Sequence, residues 1–308
     1  MVDVTLIGTG GLMPLPERAL ASVFLRCQGG SILFDCGEGT QSAAQKAGVS
    51  LVNTDLIALT HYHGDHTFGL PGLLQTLQVK ERTKPLVIAG PKGIGPALEP
   101  LLKAAGELSY EIKLIELTGE PIKQGELIPD FPALATLTPF ATSHKVLSCG
   151  YVFALERAGK FYPEKAEELG VPVEQWSELQ SGKSVETENG TVTPGQVLGE
   201  KRKGIKFVFT GDTAQCYNLV GCSENADLLV SEATFGENEH EKLAAERGHM
   251  TFAQAAKVAK DANVKQLCLT HFSPRVVNPA DYLENATSIF ENTVIGEDGM
   301  KFTLDFEE

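Results

Sequence analysis

The amino-acid sequence predicts an α/β fold, and three observations carry that expectation. Short β-type runs recur from one end of the chain to the other, segments with apolar residues at i, i+3, i+4 and i+7 lie between many of them, and several runs end directly before a histidine or aspartate. In order, the β-type runs are Val2 to Ile7, Val23 to Cys27, Ile32 to Phe34, Leu56 to Leu59, Leu86 to Ala89, Gly150 to Leu155, Lys206 to Phe209, Leu228 to Val230 and Gln266 to Leu269. Leu98, Leu101, Leu102 and Ala105 give one amphipathic helical pattern, and Phe252, Ala255, Ala256 and Ala259 another. With 308 residues, 42% of them apolar, there is material for one large domain or two small ones.

The chain carries 40 acidic and 26 basic residues, a net charge of -14. That balance excludes non-specific wrapping of nucleic acid, which needs a cation for each phosphate neutralised, and no DNA partner is expected. The clearest local exception is the basic run Lys201, Arg202, Lys203 and Lys206, which taken alone reads as a solvated loop. The opening residues MVDVTLIGTGG have no basic leader and run straight into a β pattern, so a secretory signal is not expected. No apolar run approaches the roughly 18 residues that cross a bilayer. The six cysteines are scattered without a CxxC pair, as reduced thiols in a cytoplasmic protein would be.

A weak internal echo points to where the chemistry lies. DLIALTHYHGDH and QLCLTHFSPR each place a histidine behind an apolar run ending in Leu-Thr, and Phe207 to Thr210 is followed by Gly211 and Asp212. Ligands of open α/β sheets gather at the carboxyl ends of strands, so the three segments are expected to converge. The stretch from Glu156 to Lys203 differs in composition, with charged and turn-forming residues dominating. It reads as an excursion with short helices around Glu164 to Leu169 and Val173 to Leu179, then a hairpin through Asn189-Gly190.

His61-Tyr62-His63-Gly64-Asp65-His66 is the strongest local signal. Residues two apart in extended chain face one way, so His61 and His63 can share an ion while the turn at Gly64 sends Asp65 and His66 to a second position. A single histidine is ordinarily a hydrogen-bonded or exposed side chain, but this cluster would repel and desolvate itself without a cation. His144, Asp212 and His271, each behind an apolar strand-like run, are the candidates to complete two coordination spheres. A workable partition gives one cation His61, His63 and His144, the other Asp65, His66 and His271, with Asp212 and a hydroxide bridging. Two Zn²⁺ less two aspartates and one hydroxide leave about one positive charge, suited to a phosphodiester and equally to a polarised ester or lactone. A leaving alkoxide needs a proton, for which His249 beside Glu232 is the candidate acid, though His249 reads equally as a residue opening the helix that follows.

These segments, with LIGTGGLMPLPER, LFDCGEGTQ, HGDHTFGLPGLL, SHKVLSCGY, FTGDT, SEATF, GHMT and LTHFSPR in order along nearly the whole chain, resemble the ribonuclease Z family of the metallo-β-lactamase superfamily. The resemblance implies one αββα sandwich over residues 1–308, with an inserted flexible arm at 157–203 as the tRNA-binding exosite. It implies two Zn²⁺ on the seven ligands above, Mn²⁺ or Fe²⁺ being substitutes, with Asp65 as general base and Glu232 with His249 as the pair that protonates the departing 3′ oxygen. The implied activity is an endoribonuclease that removes the 3′ trailer from tRNA precursors by two-metal hydroxide attack and leaves a 3′ hydroxyl, working as a homodimer. Arg18, Arg275 and Lys201, Arg202 and Lys203 are the candidate substrate contacts, and Asp35 a support for the histidine turn. The sequence departs from the family pattern in lacking a Gly-Pro motif at Gly170-Val171-Pro172-Val173, and in Met250 standing where a serine is usual. The alternatives are a hydrolase of the same fold acting on a small phosphodiester or ester, and a catalytically silent RNA-binding module, which would be expected to have lost ligands.

Overall fold

The structure, a computed structural model, describes residues 1–123, 132 and 134–307. Its first half runs β1 (Val2–Gly8), β2 (Ser22–Cys27), β3 (Gly30–Phe34), α1 (Thr40–Lys46), β4 (Leu56–Ala58), α2 (Gly64–Thr67), α3 (Leu70–Val79), β5 (Leu86–Gly90), α4 (Ile94–Ala105) and β6 (Ile112–Glu116). Then come β7 (Ile122–Lys123), β8 (Ala135–Ala141) and β9 (Cys149–Arg157), followed by α5 (Pro163–Glu168), α6 (Trp176–Gln180), β10 (Val185–Thr187), β11 (Gly190–Val192) and α7 (Pro194–Val197). The chain closes with β12 (Arg202–Phe209), α8 (Tyr217–Ser223), β13 (Leu228–Glu232), α9 (Glu241–Arg247), α10 (Phe252–Asp261), β14 (Leu267–Thr270), α11 (Leu283–Thr287), β15 (Thr293–Ile295) and β16 (Lys301–Leu304).

Two seven-stranded sheets result, ordered β16-β1-β2-β3-β4-β5-β6 and β15-β14-β13-β12-β9-β8-β7. The apolar runs are short and continuous because these strands are covered on both faces. Ile32 and Phe34 of β3, Leu56 and Ala58 of β4, and Phe207 and Phe209 of β12 point into the layer between the sheets. The alternate residues Leu33 and Ile57 face the helices outside the first sheet, and Val208 faces those outside the second. Phe34 is the hub of the inner layer, its ring centroid 5.5 to 5.7 Å from those of Tyr151, Phe207 and Phe209. Truncating it to alanine is expected to cost about 3–5 kcal/mol. Leu70, Leu73, Leu74 and Leu77 of α3 pack outside the first sheet, and the buried face of α10 outside the second. The four layers are the expected αββα sandwich.

In each sheet, four neighbouring strands are parallel, β3 to β6 in one and β12 to β15 in the other. Their carboxyl ends lie at one edge, where Thr60-His61, Gly211-Asp212 and Thr270-His271 follow β4, β12 and β14. The excursion between β9 and β12 is a small packed unit. Ala166, Val171, Leu179, Val185, Val192 and Val197 form its own buried cluster, with Phe161 and Trp176 against it. β12 starts at Arg202, so Arg202 and Lys203 lie on a strand where the basic run taken alone suggested a loop, and Lys206 lies on the strand as expected. Among the described residues no helix is long and apolar enough to cross a membrane.

Candidate metal centre

The seven groups expected from the sequence meet at that edge. His61 arrives from the end of β4, His63 caps α2 in extended conformation, and Asp65 and His66 lie within α2. His144 comes from the turn between β8 and β9, Asp212 from the end of β12 and His271 from the end of β14, with His271 at a left-handed φ of 58°. Such a backbone is strained for a residue with a Cβ, and a site that needs the side chain there is a common place for it.

Two sets of ligand atoms form. In the first, His61 Nε2 is 2.9 Å from His63 Nδ1, and His144 Nε2 is 3.4 Å from that same Nδ1. Asp212 Oδ2 faces this set, 3.8 Å from His61 Nε2 and 4.0 Å from His144 Nε2. In the second, Asp65 Oδ2 is 3.6 Å from both His66 Nε2 and His271 Nε2. Asp212 Oδ1 faces these nitrogens at 3.4 and 3.2 Å. Donor atoms around a tetrahedral ion with bonds of about 2.1 Å sit roughly 3.4 Å apart. The two oxygens of Asp212 divide between the sets, which is the arrangement of a bridge.

The hydrogen-bond account supports cations. His66 Nε2, His271 Nε2 and Asp212 Oδ1 are buried side-chain atoms without a hydrogen-bond partner among the described residues. Three such atoms aimed at one another carry a desolvation penalty that a divalent cation offsets. Four of the five imidazoles, those of His61, His66, His144 and His271, are held from the far side, as ligating histidines usually are. His61 Nδ1 bonds Thr60 Oγ1 at 3.0 Å, His66 Nδ1 bonds Asp35 Oδ2 at 2.8 Å, and His144 Nδ1 donates to Gly248 O at 2.9 Å. Asp35 also accepts the Thr60 amide and hydroxyl, both at 2.8 Å, so it does support the histidine turn. Gly248 has a φ of 79°, and a Cβ there would stand 2.7 Å from His144 Nδ1, so this close approach requires glycine. Asp65 Oδ2 accepts the Leu12 amide at 2.8 Å, fixing which oxygen faces the ligand nitrogens.

Burial, reinforced by the neighbouring His66, holds His61 down to about 2, so it is neutral and able to ligate. Burial alone would raise the carboxyls of Asp65 and Asp212. The imidazoles beside them hold both well below the usual carboxylate range.

His249 borders the ligand set, its Nδ1 3.9 Å from Asp212 Oδ2 and its ring centroid 5.1 Å from that of His144. Its Nδ1 lies 3.1 Å from Glu232 Oε1, and that carboxylate also accepts the amides of Met250 at 3.0 Å and Thr234 at 2.9 Å. Burial would lower the His249 pKa, but the Glu232 carboxylate outweighs it and raises the imidazole to about 9. The residues alone balanced His249 between acid and helix start, and the family resemblance assigned it to the acid pair. In the structure the helix cap is Thr251, whose hydroxyl accepts the Gln254 amide, so His249 does not cap the helix.

The chain was compared with known proteins. The Metallo-beta-lactamase superfamily signature matches residues 16–215, and a Beta-lactamase superfamily domain signature matches 166–272. A protein named Ribonuclease Z from Lachnoclostridium phytofermentans is 40% identical over 308 residues, covering 100% of this chain and 99% of that one. Another Ribonuclease Z, from Agathobacter rectalis, is 42% identical with 100% of both chains covered. The chain belongs to the ribonuclease Z family of the metallo-β-lactamase superfamily. The crystal structure of human tRNase Z, short form, superposes with a TM-score of 0.68 at 26% identity, covering 99% of this chain and 100% of that one.

Within the ribonuclease Z fold the outlying candidates separate. Arg202 and Lys203 open β12 and Lys201 precedes it, so the length of that strand, about 25 Å at roughly 3.3 Å per residue, separates them from the Asp212 end. They are also occupied: Lys201 pairs with Glu156 at 2.6 Å, Arg202 Nε donates to Ala158 O at 2.9 Å, and Lys203 pairs with Glu307 at 3.1 Å and Asp227 at 3.3 Å. Arg18 donates to the carbonyls of Val276 and Val277 and stacks 5.3 Å over Phe272, so it braces the loop after His271. Arg275 on that loop is exposed, and its guanidinium has no hydrogen-bond or ion-pair partner among the described residues. Met250 is buried and donates its backbone amide to Glu232 Oε1. Sequence reasoning missed the Leu12 amide, the Gly248 carbonyl and the hydroxyls of Thr60 and Thr234. Only the Leu-Thr-His echo hinted at one of them.

Proposed function

We propose that this chain is a zinc-dependent endoribonuclease that removes the 3′ trailer from tRNA precursors and leaves a 3′ hydroxyl. The observation that carries the reading is Glu232–His249 standing beside the complete bridged ligand set, in a chain similar over its whole length to proteins named Ribonuclease Z. Two Zn²⁺ per chain, with Mn²⁺ or Fe²⁺ as substitutes, would be held by the seven ligands and would supply Lewis acidity and a lowered pKa for water. Asp65 Oδ2 is directed at the ligand nitrogens, which leaves Oδ1 to accept the proton of the attacking water. As the P–O3′ bond breaks, His249 gives its proton to the 3′ oxygen from Nε2, and Glu232 stabilises the imidazolium until then. Arg275, on the loop after His271 and without a guanidinium partner among the described residues, would hold a phosphate oxygen.

The excursion at 157–203 serves as the arm that grips tRNA, in a homodimer located in the cytoplasm. Residues 157–203 hold eight glutamates, five lysines and two arginines, and the grip falls on basic positions. Lys160 and Lys165, whose amino groups lie 5.8 and 4.7 Å from the Tyr162 ring centroid, are two of them.

The test is to incubate zinc-loaded protein with a tRNA precursor and, separately, with a bis-aryl phosphodiester. Both are expected to be cleaved, and Asp65→Ala should abolish both. Cleavage of the small ester alone would overturn the tRNA reading. Deleting the arm should damage tRNA cleavage far more than ester hydrolysis, whereas equal losses would overturn the arm's function.

A further inference from the structure

One hydroxyl at the site belongs neither to the ligand set nor to the acid. Thr234 is 2% exposed, and its Oγ1 lies 2.9 Å from Glu232 Oε2, 3.0 Å from His271 Nδ1 and 3.2 Å from His249 Nδ1. A hydroxyl has one proton and two lone pairs. Ionised Glu232 can only accept, so it takes the proton. His271 turns Nε2 toward Asp65 and Asp212, so its own proton sits on Nδ1 and is donated to Thr234. His249 shares its Nδ1 proton between Glu232 and the remaining lone pair. All three capacities of the hydroxyl are used. The two imidazoles it touches are stacked, with centroids 5.6 Å apart and planes at 19°.

We propose that Thr234 is a positioning residue for both parts of the chemistry. It fixes His271 in the tautomer that presents Nε2 to a cation, and it holds Glu232 and His249 in the pairing from which the proton is delivered. The same device occurs independently in the first half of the fold. There Thr60 Oγ1 donates to Asp35 Oδ2 and accepts from His61 Nδ1, while His66 Nδ1 donates to Asp35. One carboxylate, one threonine hydroxyl and two imidazoles meet in each half. The inference rests on the reading of the site as a hydrolytic metal centre, and its main test needs no substrate.

Thr234→Val keeps the shape and the backbone amide bond to Glu232 but removes the hydroxyl, and Thr234→Ser restores it. Zinc loss to a chromophoric chelator, followed with circular dichroism as a check on folding, should be about tenfold faster in the valine variant and within about twofold of the parent in the serine variant. On a bis-aryl phosphodiester, under saturating zinc, the valine variant should lose kcat about tenfold with KM nearly unchanged. Should the valine variant not fold, Thr234→Ala gives the same readings. Zinc loss at the parent rate without the hydroxyl, or a serine variant as defective as valine, would overturn the proposal. A valine–serine split in zinc loss in a protein that cleaves no phosphodiester would support the positioning of His271 while overturning the hydrolytic reading.

Discussion

Asp35 and Glu232 occupy matching places in the two halves of the sandwich, each at the end of a parallel strand beside the strand that delivers a ligand histidine. Both accept a threonine hydroxyl and an imidazole Nδ1–H. They differ in what the second imidazole does. Beside Asp35 it is His66, a buried ligand whose Nε2 is orphaned without a cation. Beside Glu232 it is His249, which is not among the seven expected ligands and which on the proposed reading carries the proton. On that reading the same four-group clamp serves metal binding twice in the first half, and metal binding once and acid catalysis once in the second.

The largest effect should come from breaking the element the halves share. Asp212→Ala removes the carboxylate that faces both ligand sets, and is expected to bring RNA cleavage to background and bound metal well below the parent level, read by plasma emission. Next, the two matching imidazoles should part company. His66→Ala should lose metal, whereas His249→Ala should keep it and lose about 10²- to 10⁴-fold in kcat. Equal metal loss in both would erase the distinction between the clamps.

A smaller effect concerns pH. His249 is raised to about 9 by Glu232, so the protonated acid persists below that value and activity should fall as pH rises through it. The same sign holds for stability. With the folded pKa above the ordinary 6.5, the contribution of this pair is complete below about 6.5 and is lost as pH climbs through about 9. Glu232→Gln should therefore shift the basic limb of the kcat profile to lower pH, and an unmoved limb would show that another group sets it. Least of all, Lys201→Ala should leave KM for a tRNA precursor within about twofold, since it removes an exposed pair with Glu156 far from the ligands.

Much of this was legible in the sequence because the chemistry demands residue types that packing does not. Four ligand-type side chains in His61 to His66, and His144, Asp212 and His271 behind apolar runs, stand out against any core requirement. Most inner strands were legible because they are apolar on both faces, whereas the inner strand β8, with alternate residues only half-buried, and the half-buried edge strands β6 and β16 mix polar and apolar residues and gave no run. The supports were less visible, and here the echo misleads. Thr60 and Thr270 both precede a ligand histidine, yet Thr270 Oγ1 has no partner among the described residues and Thr234 takes the matching task. The reason is spatial. His271 adopts a left-handed backbone, and the loop after β13 reaches it because Glu232 lies in register with Thr270, a pairing between strands that no local spacing records. Lys203 misled in the same way, since its partners Asp227 and Glu307 are distant along the chain.

Metal stoichiometry measured side by side on the parent protein and on His249→Ala tests the central claim most directly. The two clamps predict two bound ions per chain in both, with kcat lost only in the variant. Fewer than two in the parent, or the disappearance of one ion with His249, would contradict the division of labour between Asp35 with its two ligands and Glu232 with its ligand and its acid.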